Sequence, residues 1–227
     1  VEFNEPNAYA ITLWVIRNAN KYYDSQLLTL VEQLTRKVNI MLYKSNHQIF
    51  KEGEWRYNYE TRKDAPKNLD RYVLDYRVVL DRVGGISNSS YSWDNTKNSG
   101  LSDTAAELLS DIVAVAKTIG WVCDETVNTT RSGIPRSWVS GASGDFTCND
   151  GKLLMAVRAY KNGNMHIKFN RLFMLRLNVE FGRLKGWLRD KQDVNAELRP
   201  VVEERAKADK DKPIPDTEYE TCFNSLL

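Results

Sequence analysis

Apolar residues recur at helical spacing from the start of the chain. Pro6 suits a first helical turn, with Asn4 as its cap. Ala8, Ile11, Trp14, Val15, Ala19 and Tyr22 then step along one stripe. Asp24 or Ser25 can cap a second helix, whose stripe is Leu27, Leu28, Val31, Leu34 and Val38. The two predict a helical hairpin over residues 6–39. From Ile40 the period shortens. Met41–Tyr43 and Gln48–Phe50 are short apolar runs, and residues 54–59 alternate polar and aromatic. Residues 72–83 predict the clearest strand. Tyr72, Leu74, Tyr76, Val78 and Leu80 share one face, with Asp75, Arg77, Val79 and Asp81 on the other. Gly84-Gly85 ends it, and residues 87–100 are loop by composition.

Ser102 caps the next predicted helix, which runs to Gly120. Its apolar positions from Ala105 to Ile119 line more than half the circumference, so it is expected to be buried. Trp121–Cys123 reads as a short strand and residues 124–151 as a long Thr-, Ser- and Gly-rich connection. Residues 152–160 and 164–169 flank Lys161-Asn162-Gly163, the strongest hairpin signal in the chain. A last helix starts near Asn170, with Leu177, Phe181, Leu184 and Leu188 on its inward face. Gly182 and Gly186 weaken it by up to about 1 kcal/mol each relative to Ala. The expected fold is α+β: an antiparallel sheet with helices packed on it, forming one domain over 1–189. Residues 190–227 read as a charged tail, partly helical or disordered.

Composition narrows the class without naming a chemistry. The 227 residues are 42% hydrophobic and 27% charged, enough to bury a core, which excludes wholesale disorder. No apolar run approaches a membrane span. Cys123, Cys148 and Cys222 form no CxxC and cannot all pair, which excludes a disulfide scaffold or zinc ribbon. The chain opens without Met and without a basic-then-apolar leader, so it reads as a fragment, or a chain lacking its upstream part, in a reducing cytoplasm.

Charge is distributed unevenly. Net charge is +2 overall, yet residues 152–191 carry ten basic side chains against Glu180 and Asp190. The flanking stretches 102–150 and 192–227 are each acidic. The candidate phosphate-binding set is Lys152, Arg158, Lys161, Lys168, Arg171, Arg176, Arg183, Lys185 and Arg189. The competing reading is a solvated face neutralised in cis by the acidic tail. On the last helix, Arg176 with Arg183 and Lys185 with Arg189 form two rows, of which only one can adjoin the hairpin lysines.

Catalytic signatures are weak. Phosphate-loop, dinucleotide and zincin motifs are absent. Ser143 in Gly141–Asp145 resembles a nucleophile elbow without its last glycine, and a loop serine is the better reading. His47 and His166 have no metal-ligand neighbour at helical or strand spacing. Asp150-Gly151-Lys152 fits the end of a Mg²⁺-nuclease core, with Asp124 or Asp145 as a second acid. The simpler reading is a hairpin start. No catalytic residue, metal site or cofactor is assigned. Trp55, Tyr57, Tyr59, Tyr91, Trp93 and Trp138 lie where they could stack on bases, or anchor loops.

Residues 160–171, YKNGNMHIKFNR, followed by a Leu- and Asn-bearing helix, resemble the DUF4942 family. Tyr43–Asn46, Trp55–Asn58, Tyr76–Leu80 and the helix ending at Gly120-Trp121 add to the resemblance, which covers about residues 1–189. That family belongs to bacterial plasmids, phages and other mobile elements, often beside DNA methyltransferases. It implies a setting and no reaction. The expected function is therefore a non-enzymatic accessory protein of a mobile element, nucleic-acid-associated, in the cytoplasm of a bacterial host. A module binding or inhibiting a host or phage protein is the first rival, and a metal-dependent nuclease the second. No membrane partner is expected.

Overall fold

The computed structural model describes residues 4–37, 48–49, 73–86, 100–124, 138, 140–208 and 210–223. The expected strands at 41–43 and 54–59 and the expected loop at 87–99 lie outside them. The chain runs α1 (Glu5–Lys37), β1 (Gln48–Ile49), β2 (Val73–Leu74), β3 (Arg77–Leu80), α2 (Asp103–Thr118), β4 (Ser143–Thr147), β5 (Leu153–Ala159) and β6 (Met165–Phe169). The helices α3 (Arg171–Leu184), α4 (Lys191–Glu197), α5 (Arg199–Ala208) and α6 (Asp216–Phe223) complete it. An antiparallel sheet ordered β3-β6-β5-β4 carries helices on one face, so the fold is α+β.

Alternation along each strand decides that face. Val78, Leu80, Phe146, Met155, Val157, Met165, Ile167 and Phe169 turn inward. They meet Leu109 and Ile112 of α2, Phe173, Leu177 and Phe181 of α3, and Leu27–Leu34 of α1 in one core. Ser102 caps α2 as expected, its Oγ accepting the Ala105 N–H at 3.2 Å. Asn170 caps α3 through the Leu172 N–H at 2.9 Å and also donates to the Leu153 carbonyl, tying the helix start to β5.

Several expectations need correcting. The helical hairpin over 6–39 is one continuous 33-residue helix. Asp24 sits in mid-helix beside Arg183, so the capping residue type met no chain reversal. The stripe Ile11, Trp14, Val15 and Tyr22 is 51–65% exposed, and burial begins only at Leu27. The strand over 72–83 is split at Asp75-Tyr76. There the buried amide of Asn178 takes both backbone groups of Leu74, donating to its C=O and accepting its N–H at 2.9 Å each. Asp75 Oδ1 also accepts the Arg77 N–H at 3.4 Å, a side-chain turn that competes with the ladder. Trp121–Cys123 forms no strand, whereas Ser143–Thr147, read as loop, is β4.

The helix expected to reach Leu188 stops at Leu184. Gly186 adopts φ +75°, Trp187 N–H returns to Gly182 C=O at 3.1 Å and Gly186 N–H to Arg183 C=O at 3.0 Å. That is a Schellman stop. It folds Leu188 back over Gly182. The charged tail is built into the fold rather than trailing from it. Leu188, Val194, Leu198, Ile214, Tyr219 and Cys222 form a second core on the far side of α3, against Leu175 and Val179. Tyr76 Oη donates to Asp211 at 2.7 Å and joins the tail to the sheet. Helix α3 is therefore buried on two sides.

The hairpin turn lies at Lys161–Gly163 as expected. Gly163 has φ +88° but Asn162 does not share a positive φ. Gly163 N–H reaches Tyr160 C=O at 3.1 Å and Tyr160 N–H reaches Asn164 C=O at 3.0 Å. This is a three-residue loop ending in a left-handed glycine, and not the two-residue type I′ turn that Asn-Gly suggests.

Candidate nucleic-acid interface

The outer face of the sheet is built by register. Across it, one row reads Arg77, Lys168, Ala156, Asp145 and the next reads Val79, His166, Arg158, Ser143. Side chains directly opposite sit with Cβ atoms about 4.5–5.5 Å apart, and diagonal ones about 7–8 Å. Lys168 lies directly beside Arg77, and Arg158 lies diagonal to Lys168. Arg158 and Lys168 are both exposed. Arg77 is half-buried, with its guanidinium over the Tyr76 ring, whereas Lys168 is exposed. Lys161, exposed at the hairpin tip, extends the positive region.

His166 is half-buried in the middle of this face. Its ring lies 4.7 Å from that of Tyr160, tilted by 52°. Burial, and then the neighbouring Arg158 cation, hold its imidazole below the ordinary value of 6.5. It is therefore neutral at pH 7, with one donor and one acceptor nitrogen.

The other basic residues of the block do not join this face. Arg183 pairs with Glu180 at 2.9 Å and approaches Asp24 at 3.7 Å. Lys185 pairs with Glu32 at 2.9 Å and lies over Phe181. Both hold α3 against α1. Arg189 pairs with Asp193 at 2.9 Å, Arg171 donates to the Lys212 carbonyl, and Arg176 is half-buried with its Nε enclosed and lacking a hydrogen-bond partner. Lys152 pairs with Asp150 at 2.8 Å across the turn before β5. The nine sequence candidates thus split. Arg158, Lys168 and Lys161 stay together on the surface, whereas neither row on α3 adjoins the hairpin. Arg77 was missed because it lies outside the basic block. Its signal was the strand alternation, which placed it opposite Tyr76 and Val78.

The catalytic alternatives take a different geometry. Ser143 Oγ donates to Asp145 Oδ1 at 2.8 Å and sits on a strand, with Arg158 between it and His166. Asp150 and Lys152 face each other, the lysine holding the carboxyl below its usual range and the carboxylate holding the ammonium above its own. Among the described residues no group of three or more His, Cys, Asp or Glu side chains is placed to hold a metal ion. Trp138 is buried over Gly144 and lies 6.4 Å from Phe146, so it is a core anchor and no base-stacking platform. Trp55, Tyr57, Tyr59, Tyr91, Trp93 and His47 lie outside the described residues. The three cysteines are free and buried, and burial pushes the Cys222 thiol up to about 11. No helix among the described residues is long and apolar enough to cross a membrane.

No family model, curated protein or solved structure matches this chain.

Proposed function

We propose that this chain is a non-enzymatic accessory protein of a phage or plasmid, acting in the bacterial cytoplasm, and that it binds nucleic acid on the outer face of its sheet. The observation that carries the reading is the register that sets exposed Arg158 and Lys168 on the face they share with Arg77. Such a face suits phosphate contacts, which position a backbone without reading its bases. The family resemblance of residues 160–171 supports the mobile-element setting. Arg171, Arg183, Lys185 and Arg189 are each held by a partner within the chain and Arg176 is half-buried, so these five are left out of the proposed interface.

The test is fluorescence anisotropy with labelled single-stranded DNA, duplex DNA and RNA across a salt series. Phosphate binding predicts a steep loss of affinity with salt. Reversing Arg158 and Lys168 together to Glu should weaken binding uniformly across sequences and lower the salt slope by about 1 per lost contact. Reversing Arg183 and Lys185 should lower stability and leave the affinity of the folded protein unchanged. A wild-type chain that binds none of the three probes in a salt-dependent way overturns the reading.

A further inference from the structure

Two of the three cysteines meet where the chain leaves α2. Past Gly120, residues 122–124 run beside the end of β4. The Val122 carbonyl accepts the Asn149 N–H at 2.9 Å, and Cys123 Sγ donates to the Thr147 carbonyl at 3.2 Å. Asn149 Nδ2 also donates to Asp124 Oδ2 at 2.7 Å. The partner falls from Asn149 to Thr147 as Val122 gives way to Cys123, so the two segments are antiparallel. Cys123 then stands opposite Cys148, between the first two bonds. Opposite residues of an antiparallel pair have Cα atoms about 4.5–5.5 Å apart. A disulfide spans roughly 4.4–6.8 Å between Cα atoms. Burial first, and Cys123 next, raise the Cys148 thiol above its ordinary value, so the two side chains lie within each other's field.

We propose that Cys123 and Cys148 form a redox staple: a dithiol that an oxidant closes to a disulfide, tying the exit of α2 to the end of β4. Access and selectivity agree with the placement. The two cysteines are 5% and 6% exposed, but Val122, Asp124, Thr147 and Asn149 beside them are all exposed, so the pair lies just beneath the surface. Cys222 is buried in the second core, on the far side of α3, and stands apart from both. Hydrogen peroxide is a sufficient oxidant. One cysteine sulfur, as thiolate, attacks a peroxide oxygen; the O–O bond breaks, water leaves and a sulfenic acid forms. The other sulfur attacks the first and expels its oxygen as water. Two thiols and one peroxide thus become one disulfide and two waters. The Thr147 carbonyl loses its S–H donor, and water can replace it because Thr147 is exposed. In a compartment that keeps thiols reduced, such a pair works as a transient sensor.

The test is oxidation of the folded full chain with hydrogen peroxide, followed by thiol titration, intact mass and peptide mapping. Reactive thiols in denaturant should fall from three to one, the mass should drop by two hydrogens, and one disulfide should join the peptides holding Cys123 and Cys148. Dithiothreitol should restore all three thiols. The disulfide encloses residues 124–147, including β4, and should raise Tm by roughly 5–10 °C. Cys222→Ser should form the staple as the wild type does, whereas Cys123→Ser and Cys148→Ser should each lose it; Cys123→Ala and Cys148→Ala serve if the serine variants fail to fold. Three thiols that persist through oxidation overturn the proposal. So do a bond that includes Cys222, a disulfide between two chains, and an oxidised form that melts no higher than the reduced one.

Discussion

The hairpin β5–β6 and the helix α3 carry similar runs of positive charge, yet they use it in opposite ways. On the hairpin, strand alternation sends every second side chain away from the core, so Arg158 and Lys168 stand on an outer face whatever their neighbours do. Helix α3 has little outside left. Its residues Phe173–Leu175 and Leu177–Gly182 are buried, with the sheet core on one flank and the C-terminal helices on the other. Its cations border packed elements and find Asp24, Glu32, Glu180 and, just beyond the helix, Asp193. A count of basic residues treats both stretches alike. What separates them is how many sides of the element are covered.

The comparison is broken on the helix side at Gly182. Helix propensity alone says Gly182→Ala should stabilise α3 by up to about 1 kcal/mol. Packing says the reverse. A Cβ there would lie 2.4 Å from Leu188 Cδ1 and 2.6 Å from its Cγ, and Leu188 is buried by the turn that folds it back. Overpacking of this kind costs about 1–3 kcal/mol, so after the propensity gain the net expectation is a loss of about 1 kcal/mol in urea unfolding. In a Leu188→Ala background only Trp187 Cε2, 3.0 Å from the added Cβ, still crowds it, and Gly182→Ala should cost clearly less. Equal effects in both backgrounds would show that Leu188 does not rest on Gly182, and would reopen that side of α3.

Much of the fold was legible where a local signal had no competitor. The α2 cap at Ser102, the Lys161–Gly163 hairpin and the inward set of β6 follow from residue type and period alone. What was not legible depended on distant partners. Nothing near Leu74 announces that Asn178, 104 residues away, will occupy its backbone and end a strand. Asp24 reads as a cap because nothing local distinguishes a cap from a mid-helix ion-pair partner. The outward stripe of α1 has the same period as its buried one, and only the position of the body separates them. At the candidate interface, the hairpin half of the basic block was found from sequence. The helix half was overcounted because Leu175 and Val179 signalled a second buried side that a single-stripe reading ignores.

Gly163 gives the matching test on the hairpin side. Its φ is +88°, while a Cβ would find nothing closer than 3.9 Å. Here the cost is conformational and not steric, which is the reverse of Gly182. Gly163→Val should destabilise by about 1–3 kcal/mol, whereas Gly163→Asn, which tolerates the left-handed region, should cost clearly less. Thermal unfolding of the pair decides it. Equal losses would mean that crowding dominates at this turn too.

The smallest effect probes the outer face directly, through His166. Burial and the Arg158 cation disfavour its protonated form in the folded state, so the unfolded chain binds that proton more readily. The stability gained from a neutral His166 is complete above about 6.5 and is lost as pH falls from there through the lower, folded value. His166→Gln should flatten this part of the stability–pH curve. Histidine resonances followed by NMR should show His166 titrating below 6.5 in the wild type. Arg158→Gln should raise it only in part, since burial is the larger cause and remains. A phosphate backbone laid beside Arg158 adds a negative charge to the same surroundings and should also raise it, whereas a ligand held by α3 should leave it unmoved. A titration midpoint that shifts with Arg158→Gln but stays fixed under saturating oligonucleotide would place the nucleic acid elsewhere, and would reduce the outer cations to a solvated face.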